Sequence, residues 1–297
     1  MLVIKNKATD YLEANFSEDE TAWDSSATYN YADEVRDGHY IYKYAGEDGT
    51  NTDLKPSEDN TKKWVKIRPT NYFAMLDNKS STQTINSEKI DIKLSVNNYD
   101  SISLIELDAV TVEIELTDLN TNKIVYSEII DLNNTFDIVD FTSYCFSEFN
   151  YKNSIYRKLP FYTNAKLHIV INNPSLYAKC GRLVLGRSFY IGEVLYDVNL
   201  GLESYSRKIT DEFGNTTLTH INAVNEDNYE ILIPTQKIPV LKNKAKELDA
   251  IPLLFVGDEN DYTNTEHLLN FGFWEDFSMV MSDTEKATIN LTIKGII

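Results

Sequence analysis

Residues 110 to 116 read VTVEIEL: Val112, Ile114 and Leu116 take alternate positions, with Glu113 and Glu115 between them. A period of two puts the apolar side chains on one face and the carboxylates on the other, so this stretch predicts a half-buried β-strand. The same alternation recurs on both sides of it. It occurs at 90–96 (IDIKLSV, with Ile90, Ile92, Leu94 and Val96 in register), 123–130 (KIVYSEII), 165–171 (AKLHIVI), 182–186 and 229–233. Turn-prone clusters, Leu119-Asn120-Thr121-Asn122 and Asn172-Asn173-Pro174, separate the runs, and LTDLNTNKIVYSE reads as a hairpin. Short strands at this spacing with no helix between them predict an antiparallel β-sandwich or jelly roll over 85–195.

One segment further on breaks the period. In IPVLKNKAKELDAIP, Val240, Leu241, Ala245 and Leu248 fall near helical spacing, with Pro239 in a first-turn position and Pro252 past the end. A helix is predicted over 237–249. Strand patterns flank it, NYEILIP before and IPLLFVG, LLNFGFW and ATINLTIKG after, which makes 196–297 a smaller α+β domain. Ahead of these, SYSRKITDEFGNTTLTH reads as a hairpin closed by Phe213-Gly214-Asn215. Residues 1–68 have another texture, poor in aliphatics and dense in Trp23, Tyr29, Tyr31, Tyr40, Tyr42, Tyr44 and Trp64. They are read as a small aromatic-rich module, joined to the sandwich through 69–84. The fold class expected is therefore mainly β.

Composition narrows the function. Lys and Arg total 28 against 46 acids, a formal charge of −18, and phosphate recognition needs a basic footprint. Nucleic acid and anionic membrane are thus disfavoured as partners. The acidity favours solubility at high local concentration in an assembly. No apolar run reaches the length of a membrane-crossing helix, and MLVIKNKATDYLEANF lacks a signal peptide's apolar core, so synthesis in a cytoplasm without membrane insertion is expected. Cys145 and Cys180 both sit in strand-like apolar contexts and read as small core residues.

Signatures of chemistry are sparse. His39, His168, His220 and His267 lie far apart with no ligand spacing, and His168 is read as facing outward from its strand. EDGTNTD has the composition of a calcium loop without its spacing, and is read as a solvated loop. No G-x-S-x-G, no reactive-cysteine signature and no phosphate-cradling glycines occur, so no catalytic residue, metal or cofactor is assigned. Paired carboxylates for glycoside hydrolysis stay open, since 46 acids are present and a sequence gives no separation. Carbohydrate binding has the strongest candidates, because exposed aromatic faces stack on sugar rings. Trp23, Tyr29, Tyr40, Tyr42 and Trp64 are either that platform or the core of a module too small to fill itself with aliphatics. If Trp64 is core, Trp64→Ala costs roughly 3 kcal/mol.

Residues 22–84 carry a further pattern. AWDSSATYNYADEVRDGHYIYKY, a variable loop and WVKIRPTNYFAMLDNKSSTQT resemble a chitin-binding-type carbohydrate module running into a junction found in phage proteins. Trp23, Tyr29, Asp33, Val35, Gly38, Tyr42 and Trp64 match the module, and Pro69, Thr70, Asn71, Met75, Asp77 and Ser81 to Thr84 match the junction. Downstream, KCGRLVLG, SYSRKITDEFGN (with Arg207, Asp211 and Gly214), IPLLFVG and NFGFWEDFSMV (with Gly272) follow in order. Over 22–297 the chain is similar to tailed-bacteriophage and prophage tail virion proteins. The departures are Ala32, where the module has glycine before aspartate, and THINAVNEDNYEILIP after the hairpin. The resemblance implies a non-enzymatic structural component of a phage tail, at its tip or baseplate. It would be a homo-oligomer in the virion, contacting other tail proteins. The alternative is an adhesin gripping host surface glycans through the N-terminal module.

Overall fold

The structure is a computed structural model that describes residues 1–7, 11–51, 54–79, 81–134, 140, 150–258, 265–281 and 283–296. Cys145 and the last two residues of EDGTNTD lie outside the described residues. Over the described residues the chain is mainly β, with antiparallel sheets and a single α-helix.

The alternating run at 110–116 lies in β10 (Thr111–Asp118), within a seven-stranded sheet. Its neighbours are β11 (Lys123–Asp131) on one side and β15 (Ala165–Gly186) on the other, followed by β8 (Thr84–Val96) and β2 (Glu13–Ala14). The 22-residue β15 changes partner along its length. Up to Asn172 it pairs with β10, and from Lys179 it pairs with β9 (Ser101–Asp108), which pairs in turn with β14 (Ser154–Lys158). The break falls between Asn172 and Tyr177, where Ser175 takes φ 66°. A single strand that serves two halves lets the sheet close over one core of Ile90, Ile92, Leu94, Ile114, Leu167, Ile169, Leu104 and Leu183. The expected sandwich is this element.

The second large sheet runs β16 (Ser188–Tyr190), β1 (Leu2–Lys5), β22 (Leu253–Val256), β23 (Leu269–Met281), β24 (Lys286–Gly295), β21 (Ala223–Pro234), then β17 (Glu193–Val194), with β18 (Asn199–Ser204) also on β21. Helix α1 (Ile238–Glu247) covers one face, packing Leu241 against Ile231, Ile233, Phe255 and Ile289, with Leu248 just past its end. Val240, counted above among the helix's apolar positions, is exposed instead. The other face packs Leu2, Ile4, Leu254, Val256 and Phe271 together with Tyr156 and Val184 of the first sheet, so the two sheets share an apolar cluster.

The aromatic module holds β3 (Thr28–Tyr29) paired with β6 (Thr50–Asn51), and a sheet of β4 (Glu34–Asp37), β5 (Tyr40–Tyr44) and β7 (Trp64–Pro69). Two short pairs complete the fold, β12 (Asn133–Asn134) with β13 (Asn150–Tyr151), and β19 (Arg207–Thr210) with β20 (Thr216–Thr219).

The domain limits expected from sequence move at both ends. Leu2–Lys5 was assigned to the N-terminal module but lies between β16 and β22 of the C-terminal sheet, and Glu13–Ala14 pairs with β8. Residues 188–194 were assigned to the sandwich but pair with the second sheet. The apolar run of β1 signals a buried strand; nothing local to it signals a partner some 250 residues away.

Candidate functional site

The module's rings converge. Tyr29, Val35, Tyr42, Tyr44 and Trp64 are buried together, with Trp23, Ala27 and Tyr40 at the rim. Trp64 meets Tyr29 edge-on at 5.0 Å between centroids and lies tilted to Tyr44 at 4.9 Å, the offset geometries that aromatic quadrupoles favour. The Tyr29 hydroxyl donates to the Asp24 carbonyl and accepts from the Asp24 N–H, both at 2.8 Å. Tyr40 is half-buried, its ring covered by the Lys66 ammonium 3.1 Å from the centroid. Of the five rings weighed as a sugar platform, three are core, while Trp23 and Tyr40 are half-buried. Tyr31 is the exposed ring of the group, at 67%. The Ala-Asp departure also has a structural correlate, since Ala32 takes φ 75°, a conformation that costs an L-residue and suits glycine.

The junction is dense with directed bonds. Arg68 donates to Asp19 (2.7 Å) and Glu20 (3.1 Å), and Thr70 N–H donates to the His39 carbonyl at 2.9 Å. The buried Pro69 ends β7 opposite Tyr40. The Asn71 side chain acts as a piece of strand. Its Nδ2 donates to the Ile85 carbonyl (2.9 Å) and its Oδ1 accepts from the Ile85 N–H (2.7 Å). Thr84 Oγ1 donates to the Asn71 carbonyl and accepts from the Met75 N–H. Phe73 stacks on His39 with centroids 4.2 Å apart, while Met75 and Leu76 enter the core of the first sheet. Asp77 accepts from the Lys79 N–H (2.7 Å) and Thr82 Oγ1 (2.8 Å).

Behind Asp77 stands Arg182, a residue not singled out from the sequence. It is fully buried, 3.8 Å from Asp77 and 3.8 Å above the Phe271 ring, so it touches the junction and both large sheets. Its guanidinium nitrogens find no hydrogen-bond acceptor among the described residues, and burial lowers its pKa to about 10, so it stays charged near neutrality. The signal available was a charge inside the apolar run of KCGRLVLG.

The remaining motif residues lie elsewhere and do not join this site. Arg207 is exposed on β19. Asp211 holds the hairpin tip, accepting from the Phe213 and Asn215 N–H groups and from Asn215 Nδ2, bonds that pull its carboxyl below the usual range. Gly214 supplies φ 84° in that turn. At Gly272, an added Cβ would stand 2.0 Å from the Lys294 carbonyl, so the close pairing of β23 and β24 needs glycine there.

A cleft of about 630 Å³ opens where the two sheets and the base of the β19–β20 hairpin meet, lined by Gln83, Glu106, Asn153, Asn225, Asn270 and Phe271 among others. Asn270 donates to the buried Asp227 at 2.7 Å, and burial raises that carboxyl's pKa. The Cys180 thiol is buried and pushed up to about 12, which leaves it unreactive. His168 is half-buried and bonds Asp91 at 2.8 Å. Among the described residues, no three His, Cys, Asp or Glu side chains are grouped to hold a metal ion. No family model and no curated protein matches the chain.

Proposed function

We propose that this chain is a structural component of a bacteriophage tail, from its tip or baseplate region, built into the virion in several copies. The reading starts from the sequence resemblance. The observation that carries it over the adhesin reading is the joint. A module that grips host glycans needs ring faces open to solvent. Here the rings pack inward on Trp64, and the junction engages both sides: Phe73 stacks on His39 of the module, the Asn71 amide bonds Ile85 of β8, and Met75 and Leu76 enter the sandwich core. A rigidly mounted, inward-packed module suits a contact with neighbouring tail proteins and a role without catalysis.

Mass spectrometry of purified virions tests this directly. The expected result is the chain at a stoichiometry that matches the tail's symmetry. Its absence from intact particles overturns the reading. A glycan array probed with the full chain separates the alternative: saturable binding lost in Tyr31→Ala or Tyr40→Ala would favour the adhesin.

A further inference from the structure

Residues 205–221 form an arm. β18 and β21 pair as far as Ser204 and Ala223, and the ribbon then continues outward as β19 and β20, which among the described residues pair only with each other. Ser206 Oγ bridges the joint, donating to the Ile221 carbonyl and accepting from its N–H. Every residue from 207 to 223 is exposed, including Ile209, Leu218 and, at the tip, Phe213 at 89%. An isolated two-stranded ribbon is marginal in water, so one with aliphatics on both faces gains most of its stability from a surface it docks on.

The arm's charge indicates which surface. Residues 205–221 hold Arg207 and Lys208 against Asp211 and Glu212, formally neutral, so the rest of the chain carries the whole −18. Arg207 and Lys208 form no ion pair among the described residues. Register places Arg207 and Ile209 on one face with Thr217 and Thr219. A complementary face exists on the same molecule. Among the described residues β11 is an edge strand paired only with β10, and on their outward face Ile129 lies opposite Glu113, Ser127 opposite Glu115 and Asp131 opposite Thr111. Ile124 and Ile129 are exposed there, and Glu113, Glu115 and Asp131 make no ion pair among the described residues. Of the cations there, Lys166 lies opposite Thr117 and Lys123 opposite Asp118, toward the far end. Exposed aliphatics on an open edge strand invite association unless something covers them.

We propose that the arm packs on the outward face of β10 and β11 of a second copy of this chain, Ile209 against Ile129 and Arg207 against Glu113 and Glu115. Arm and patch are different surfaces, so the contact is head-to-tail, and such contacts close into rings when the rotation allows. This rests on the assembly reading above and names the partner, yet the two fail separately. Absence from virions removes the tail role, while a chain that does not self-associate removes this contact.

The test is sedimentation velocity and light scattering on the full chain, with near-UV circular dichroism to verify the fold of each variant. At about 100 µM, which saturates a contact of micromolar Kd, the wild type is expected to form a defined oligomer. Arg207→Glu alone, and Glu113→Lys with Glu115→Lys, should each weaken it at least about 10-fold, as like charges meet. The chain carrying all three substitutions should regain the oligomer. A wild type that stays monomeric overturns the proposal, including the case in which the arm serves a different protein. Full association of Arg207→Glu, or no recovery in the triple variant, overturns it as well.

Discussion

At the scale of single residues, three side chains show how local chemistry sets stability here. Trp64 is buried against Tyr29 and Tyr44, so Trp64→Ala in the full chain should cost roughly 3 kcal/mol, the range for truncating a buried aromatic. Chemical denaturation followed by tyrosine environment reads it, and an unchanged midpoint for the module would contradict burial. Ala32 sits at φ 75° with its N–H bonded to the Tyr44 carbonyl at 2.8 Å. Glycine relieves the left-handed strain of about 1–2 kcal/mol but adds unfolded-state entropy, so Ala32→Gly should stabilise by roughly 0.5–1 kcal/mol. Asp227 titrates in the opposite sense to most carboxylates. Burial raises its folded pKa above the ordinary 3.8, so its unfavourable contribution is absent below that value and full once pH exceeds the folded pKa. Asp227→Asn, whose amide oxygen can still accept from Asn270, should therefore raise the urea midpoint at pH 7, with the gain vanishing below about pH 3.8. A gain independent of pH would refute the assignment to ionisation. Of these three, Asp227 left no mark in the sequence, while Ala32 stood out as a departure from the resembled module and Trp64 as either platform or core. Ring burial and carboxylate burial depend on what packs above them.

At the scale of elements, the joint combines bonds that a sequence half reveals. That 69–84 joins the module to the sandwich was legible, from the change of texture on either side and from the resemblance at Pro69, Asn71 and Asp77. That the Asn71 amide would imitate a strand and clip Ile85 was not, because the partner lies fourteen residues away across a turn. Arg182 was hidden for a related reason: in a run of alternating strand residues, the face it takes depends on which second sheet covers it. Among the described residues its buried guanidinium has no hydrogen-bond acceptor and meets Asp77 at only 3.8 Å, so desolvation outweighs pairing. Replacing the pair together, as Arg182→Met with Asp77→Asn, keeps the contact on Phe271 and an amide oxygen for the Lys79 N–H, and should be neutral or stabilising by about 1–4 kcal/mol. Asp77→Ala should destabilise by about 2–3 kcal/mol, because the Lys79 N–H and Thr82 hydroxyl lose their acceptor as well. Equilibrium unfolding of both variants compares them, and a strongly destabilised Arg182→Met with Asp77→Asn would show the ion pair to dominate.

At the scale of the whole molecule, the strands of each sheet announced themselves through periods of two, but their order did not. Alternation fixes which residues face inward and says nothing about neighbours, so the sandwich and the α+β domain were legible as sets of strands. The strand that binds the ends together was not. Leu2, Val3 and Ile4 are almost fully buried, and β1 pairs on both edges, with β16 and β22. Val3 faces the helix-covered core while Leu2 and Ile4 face the interface with the first sheet. Just after it, Lys7 N–H donates to the Leu185 carbonyl and the Leu185 N–H donates to Asn6 Oδ1, which tie the strand to β15. Burying three such side chains is worth about 1.5–3 kcal/mol each, a sum comparable with the entire stability of a typical domain. Removing residues 1–7 would also leave β16 and β22 without their shared neighbour. The shortened chain should therefore lose the cooperative unfolding of the second sheet, read by hydrogen exchange at Leu254 and Phe255, while Ile92 and Ile169 in the first core keep protection. Full protection at Leu254 and Phe255 without β1 would mean that the helix-covered core holds the sheet by itself.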